Sequence, residues 1–454
     1  MSAAAVNELE FYLFNFGSYP DVPHVDDTPR RSLYIDLPND HYDPIRGQWY
    51  LDSYLDTLVF GEKLGFDGIC TTTQMGGPIG MTPSSMLPAA WLAARTERIR
   101  IVALGPILNT YLSPMRVAED IALLDNMCGG RLTVGLPMGH GQNWHAAGGM
   151  NPAFARQRHW EAHDLMVKAF TEPGPFEWQG EFFHVPYANL WPRPIQKPYP
   201  PVWIPAAGSR ITFERCARHR YTYQTLFSPR KAMLRNITAF RKVTEELGYE
   251  ADPTQIAAVL FVHVGETDAQ ARREAEPHLR WVFQNMVRAN QYDAFPPGHF
   301  SPESLRGFLK GGGYRDRDIG DMSYDELVDE GWALIGSPDT VSAQLRELVD
   351  ELGAGRIVHI ADNGAMPNWM VRKSLTLMAE QVIPRFRGPG AKPIWALEDP
   401  RPAPTHAQLG AHLADHEVAA HPDVVMPDGE HADLRTAHLA EAVEARAARA
   451  GDLG

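Results

Sequence analysis

Cysteine is scarce in this 454-residue chain: Cys70, Cys128 and Cys216 stand far apart, with no CxxC pair among them. That excludes a disulfide framework and suits three small buried hydrophobes in a reducing cytoplasm. Excess positive charge is lacking as well. Against 56 acidic residues there are 42 basic ones, a formal net charge of −14, and no local basic stripe offsets it, so no nucleic-acid partner is expected. No apolar run reaches the roughly 18 to 20 residues of a bilayer span. The opening MSAAAVNELEFYLF has no basic region leading into an apolar core, so neither membrane insertion nor secretion is expected. A G-x-G-x-x-G fingerprint is missing after the first apolar run, and no G-x-S-x-G elbow occurs. No set of metal-ligating residues has a suitable spacing, since His140 and His145 sit five apart on a loop.

What remains is an ordinary globular composition, 44% hydrophobic and 22% charged, with a strong alternation of strand-like and helix-like segments. Strands are expected at 10–16, 66–72, 98–104, 131–136, 200–205, 221–224, 256–264 and 356–360. Helices are expected at 50–64, 82–95, 113–127, 151–171, 209–219, 229–247, 267–290 and 338–352. Successive strands near 67, 99 and 131 recur at a spacing of about 32 residues, which suits a βα unit of a parallel sheet. Eight strands, each followed by a helix, predict an α/β fold of the (β/α)8 TIM-barrel type. A doubly wound sheet is the runner-up.

Several stretches exceed what barrel loops need. Segments 17–48 and 286–330 emerge at the strand C-terminal face and read as cap elements over a substrate. Segment 172–195 reads as a small hairpin outside the barrel. The barrel domain is assigned to 1–387. The Pro-rich, then Ala- and His-rich stretch 388–454 is assigned to a partly helical C-terminal extension with one helix near 433–449.

The runs LGFDGIC (64–70), TERIRIVAL (96–104), SPMRVAEDIALLDNMCGGRLTVGLPMGHG (113–141), WPRPIQKPYPPVWIPAAGS (191–209) and GSPDTVSAQLREL (336–348) carry a family resemblance. With them the chain resembles the bacterial luciferase-like flavin monooxygenases from the first strand to the eighth. The resemblance implies a TIM barrel, reduced FMN or, in one branch, the deazaflavin F420, and a homodimer, here expected through the helices after strands two and three.

Site residues follow from the same positions. Ala207, Gly208 and Ser209 follow a strand and open a helix, where free N–H groups and the dipole favour a phosphate. Many relatives place a phosphate-holding arginine where this chain has Met138, so the phosphate must lean on Ser209, Arg210 or another loop. Gly139 and its neighbours let backbone approach a flat ring, and His140 can exchange a proton near neutrality. The resemblance implies a bulge of cis peptide at Gly105–Pro106 beneath the ring, with Asn109 facing it. Relatives carry a proton-handling histidine where this chain has Gln74, which can hydrogen-bond but cannot act as a base. His140 and His145 are the replacement candidates.

The expected activity is a monooxygenase that uses reduced FMN from a separate NAD(P)H:flavin reductase, with O2 as co-substrate. It would hydroxylate a small organic substrate or insert oxygen into it. An F420-dependent hydride-transfer enzyme and a non-catalytic flavin-binding protein are the alternatives.

Overall fold

The computed structural model describes residues 9–23, 37–146, 148–226, 228–287, 319–362 and 365–387, with positions 296, 298, 305 and 306. The C-terminal extension, its expected helix, most of 286–330 and residues 24–36 of the first cap segment lie outside the described residues.

Eleven strands are described: β1 (Glu10–Phe14), β2 (Gly68–Thr72), β3 (Arg100–Leu104), β4 (Leu132–Gly135), β5 (Phe176–Gln179), β6 (His184–Ala188), β7 (Val202–Ala206), β8 (Thr222–Thr225), β9 (Ile256–Val264), β10 (Ala333–Gly336) and β11 (Arg356–Ile360). The helices are α1 (Pro44–Leu64), α2 (Met86–Arg95), α3 (Pro114–Met127), α4 (Ala155–Thr171), α5 (Arg210–Arg218), α6 (Arg230–Glu246), α7 (Asp268–Trp281), α8 (Tyr324–Asp329), α9 (Pro338–Leu352) and α10 (Asn368–Leu377). Parallel pairing runs β11-β1-β2-β3-β4-β7-β8, and β9 closes the ring by pairing with both β8 and β11. The fold is an eight-stranded parallel barrel with helices between its strands. All eight expected strands are the barrel strands. The expected hairpin is β5–β6, an antiparallel pair outside the barrel.

Strand alternation divides the core in two. One set of side chains, including Tyr12, Phe14, Cys70, Val102, Leu104, Trp203, Val259, Phe261, Val358 and Ile360, fills the barrel interior. The other set, including Phe11, Leu13, Ile69, Ile101, Val134, Ile204 and Tyr223, packs against the helices. The interior is therefore a filled core, and only loops at the strand C-terminal ends are free to build a site. An ion pair lies among the interior residues. Arg356 Nε donates to Glu10 Oε2 at 2.7 Å, and the Arg356 guanidinium lies 5.5 Å from the Trp203 ring centroid.

Local differences from the sequence reading have plain causes. Helix α1 starts at Pro44, not Tyr50, because Asp43 caps it by accepting from Ile45 N and Arg46 N. Helix α2 starts at Met86, not Thr82. The Thr82 hydroxyl donates to Thr72 O on β2 and so serves the barrel rather than a helix end. The helix expected at 267–290 ends at Trp281 and passes into a π-helical turn over 282–287. The short strand β10 went unread. It pairs with the C-terminal half of β9, Ala333 opposite Phe261. Among the described residues no helix is long and apolar enough to cross a membrane.

Candidate functional site

The loops after β3, β4 and β7 converge on the first turn of α4. Asn109, just beyond β3, donates through Nδ2 to Ala155 O at 2.9 Å and lies 3.4 Å from Met138 Sδ in the loop after β4. Arg158 Nη2 donates to Tyr111 O at 3.2 Å, a second tie between α4 and the β3 loop. One residue past Ala155, Arg156 reaches the β7 loop, where its Nη1 donates to Ser209 Oγ at 3.1 Å. A continuous line of contacts thus joins Met138, Asn109, Ala155, Arg156 and Ser209.

The β7 loop is built to hold its backbone open. Gly208 has φ +106, and a Cβ there would lie 2.6 Å from Asn236 Oδ1, so glycine is required twice over. Asn236 Nδ2 donates to Ala207 O, and Tyr223 Oη donates to Ala206 O. Ser209 occupies the N-cap position of α5, yet its hydroxyl does not cap the helix; it meets Thr212 Oγ1 at 2.7 Å and Arg156. The first N–H groups of α5, one serine hydroxyl and one guanidinium therefore face a common point.

Arg156 is the residue that sequence reasoning missed. It is half-buried, burial pushes its pKa down, and among the described residues no carboxylate pairs with it. A desolvated cation without a counter-ion is costly unless an anion completes it. The helix start expected at 151 concealed the signal, since α4 begins at Ala155. Arg156 and Arg158 both fall in the first turn of a helix, where the macrodipole disfavours cations. Arg210, the alternative phosphate residue, is engaged elsewhere: it pairs with Glu214 at 2.8 Å and Glu246 at 2.5 Å on the exposed side of α5.

Gly105 takes φ +103, and its carbonyl accepts from Thr73 Oγ1 at 2.6 Å. The expected cis bond is absent: Gly105–Pro106 is trans, and the cis peptides among the described residues precede Pro175, Pro192 and Pro198. The glycine's left-handed backbone makes the bend, so no cis bond is needed. Thr73 Oγ1 also accepts from Ser85 N, joining the ends of β2 and β3 to the start of α2. Beside it, Gln74 is partly buried, with its backbone N–H on Thr82 O.

Beyond β4, Gly139 has φ +73 and packs against Ile107, and its carbonyl accepts from Trp144 Nε1 at 3.3 Å. Trp144 is fully buried. His140 is partly buried, and burial lowers its pKa below the ordinary value, so the ring is neutral at neutral pH. His145 is exposed, with Nδ1 2.8 Å from Met150 O, and so stands on the rim. Four buried amide oxygens have no hydrogen-bond partner among the described residues: Asn109 Oδ1, Asn143 Oδ1, Gln224 Oε1 and, elsewhere on α9, Gln344 Oε1. Asn109 lies in the loop after β3, and Asn143 in the loop after β4 that also carries Met138 and His140.

A family model of the luciferase-like monooxygenases matches residues 37–356. The chain belongs to this family. Limonene 1,2-monooxygenase from Rhodococcus erythropolis is 24% identical over 346 residues, spanning 74% of this chain and 81% of that one. Among solved structures, the barrel resembles the FMN complex of the oxygenating constituent of 3,6-diketocamphane monooxygenase, a type II Baeyer–Villiger enzyme from Pseudomonas putida. The TM-score is 0.64 at 19% identity, covering 83% of this chain and 99% of that one. Coenzyme F420-dependent tetrahydromethanopterin reductase from Methanopyrus kandleri is similar at TM-score 0.55 and 18% identity, over 84% and 100% of the two chains. Membership of this family makes the chain an oxidoreductase, on the barrel that the sequence predicted.

The residues present fit a flavin mononucleotide. A guanidinium without a carboxylate partner among the described residues, a serine hydroxyl beside it and a helix N-terminus suit a phosphate. The orphaned oxygen of Asn109 is an acceptor of the kind that a ring N–H of an isoalloxazine satisfies.

Proposed function

We propose that this chain is the oxygenating component of a two-component, FMN-dependent monooxygenase acting on a small organic substrate. The observation that carries the reading is the meeting of Arg156 with Ser209 at the N-terminus of α5, a built anion cradle at the active face of a luciferase-like barrel. Arg156, Ser209 and the first N–H groups of α5 would hold the phosphate. Asn109, Met138 and Gly139 would flank the ring, with Gly105, Pro106 and Thr73 forming the shelf between β2 and β3.

When bound, reduced FMN would supply the two electrons that activate dioxygen. The chain's own work is positioning, exclusion of water and handling of a proton. Trp144 and Ile107, both buried, wall the loop after β4 against solvent. His140, neutral by virtue of its burial, can take up a proton at a ring nitrogen close to that loop. Gln74 can orient a substrate oxygen but cannot move a proton. Reduced flavin would come from a separate NAD(P)H:flavin reductase, a role consistent with the likeness to an enzyme described as an oxygenating constituent.

Self-association into a homodimer belongs to the same reading. Leu87 on α2 and Leu123 and Met127 on the adjacent α3 are exposed, more apolar surface than solvated barrel helices normally present.

Anaerobic titration with reduced FMN and with reduced F420, followed by admission of oxygen, tests the cofactor and the activity together. Binding of reduced FMN and substrate-dependent oxygen consumption are the expected result. Selective binding of F420 would transfer the chain to the hydride-transfer branch. FMN binding with no oxygen consumption across a substrate panel would leave a flavin-binding protein.

A further inference from the structure

A second cluster of chemically capable side chains lies on the helical layer, built from α4 and the residue just past α5. His163, Asp164 and His219 each present one ligand-competent atom, and these atoms lie within 4.8 Å of one another. His219 is distant in sequence from the adjacent His163 and Asp164, which is why spacing alone did not reveal the cluster. We propose that this cluster is a divalent-metal site, of a zinc-like kind, that clamps the middle of α4 to the C-terminal end of α5.

The donor set is one that zinc uses: two imidazoles and one carboxylate, with bond lengths of about 2.0–2.2 Å and a fourth position open to water. The surroundings supply the outer contacts that metal-binding histidines require. His163 Nε2 meets Tyr221 Oη at 3.0 Å, and Tyr221 Oη meets Tyr199 Oη at 2.9 Å. If Nε2–H donates to Tyr221, the Nδ1 lone pair turns toward Asp164 Oδ1, 2.9 Å away. A metal would then replace the proton that otherwise bridges these two atoms.

His219 is held by stacking on the Tyr221 ring, with centroids 5.0 Å apart and planes 16° from parallel. The next residue, Arg220, has φ +57, the one positive φ outside glycine among the described residues. It is the left-handed residue that closes α5, where Arg220 N donates to Ala217 O and Tyr221 N to Cys216 O, and this turn fixes where His219 leaves the helix. Access exists, because Asp164 and His219 are only partly buried while His163 is fully so.

Arg215 competes for the site. Its Nη1 donates to both Asp164 oxygens at 2.9 Å. The guanidinium is one-third exposed and can turn to solvent when a cation arrives. This gives the proposal a signature that a purely structural cluster would not show: removing the arginine should strengthen metal binding.

The test is a zinc titration of the metal-stripped full chain by calorimetry, with thermal melting in parallel. One equivalent should bind at roughly 10 μM or tighter and raise the melting temperature by mass action. His219→Gln and Asp164→Asn should each weaken that equivalent by about tenfold or more, Arg215→Gln should tighten it, and His145→Gln should leave it unchanged. Should a ligand variant fail to fold, carbethoxylation of wild-type protein read by mass spectrometry gives the answer directly, with zinc shielding His219. No bound equivalent, unchanged affinity in His219→Gln, or unshielded His219 would each overturn the assignment.

Discussion

Arg156 Nη1 donates to Ser209 Oγ across 3.1 Å, joining the first turn of α4 to the N-terminus of α5. Ser209 Oγ accepts no N–H of α5 and meets only the Thr212 hydroxyl besides Arg156, and Arg156 pairs with no carboxylate among the described residues. Both are therefore available to an anion.

Ser209→Asp places a fixed negative charge at that point. FMN affinity should fall at least tenfold, about 1.4 kcal/mol, as read by fluorescence titration, whereas Arg210→Ala on the exposed side of α5 should leave it within a few-fold. A tenfold loss in Arg210→Ala as well would place Arg210, not only the Arg156 and Ser209 pair, at the phosphate.

His140→Ala should slow oxygenation by roughly 10²–10⁴ and leave FMN affinity nearly unchanged, with His145→Ala as the mild control. The sign of the pH effect follows from burial. The lowered pKa keeps His140 neutral to more acid pH than an ordinary histidine, so the acidic limb of the wild-type rate should lie below the usual histidine range. That acidic limb should vanish in His140→Ala. A limb that survives the substitution belongs to another group.

Acid should destabilise the barrel through two histidines far from this loop. Burial pushes both His159 and His359 down to about 3, with the nearby Arg156 guanidinium adding to the effect at His159. A histidine held neutral in the fold contributes stability that is complete above about pH 6.5 and is lost as pH falls toward 3. The melting temperature should decline over that window. His359→Gln, which keeps a donor for Val262 O without titrating, should make the decline shallower. An unchanged slope would rule out His359 as a source.

Gly105→Ala would force a Cβ to within 2.5 Å of Pro137 Cγ at a φ of +103. The expected cost is about 1–3 kcal/mol for the backbone alone, visible as a lowered melting temperature. A melting temperature equal to wild type would mean that the turn between β3 and β4 relaxes freely.

How far the sequence carried the account depended on the kind of signal. The barrel strands were legible because each is a short β-branched or aromatic run bounded by glycine or proline, as in Arg98 to Gly105. Strand β10 was not, because four residues between α8 and α9 carry too little periodicity to separate from a helix approach. The start of α1 was hidden by a Pro- and Asp-rich stretch, although Asp43-Pro44 is itself a cap followed by a first-turn proline. At the site, Ser209 could be read from its place after a strand. Arg156 could not, since its significance lies in the lack of a counter-ion, and that emerges only when α4 and α5 are set side by side. The bend at Gly105–Pro106 was expected from a cis bond, but the glycine's freedom at φ +103 makes it instead.

The most direct measurement compares FMN with riboflavin, which lacks the phosphate, in wild type and in Arg156→Ala. Wild type should bind FMN at least tenfold more tightly than riboflavin, and the arginine variant should lose most of that preference while its riboflavin affinity stays the same, since a charged hydrogen bond of this kind contributes about 1.5–3 kcal/mol. Equal affinity of the wild type for the two flavins would contradict the cradle at Arg156 and Ser209, and with it the reading of this face as the flavin site.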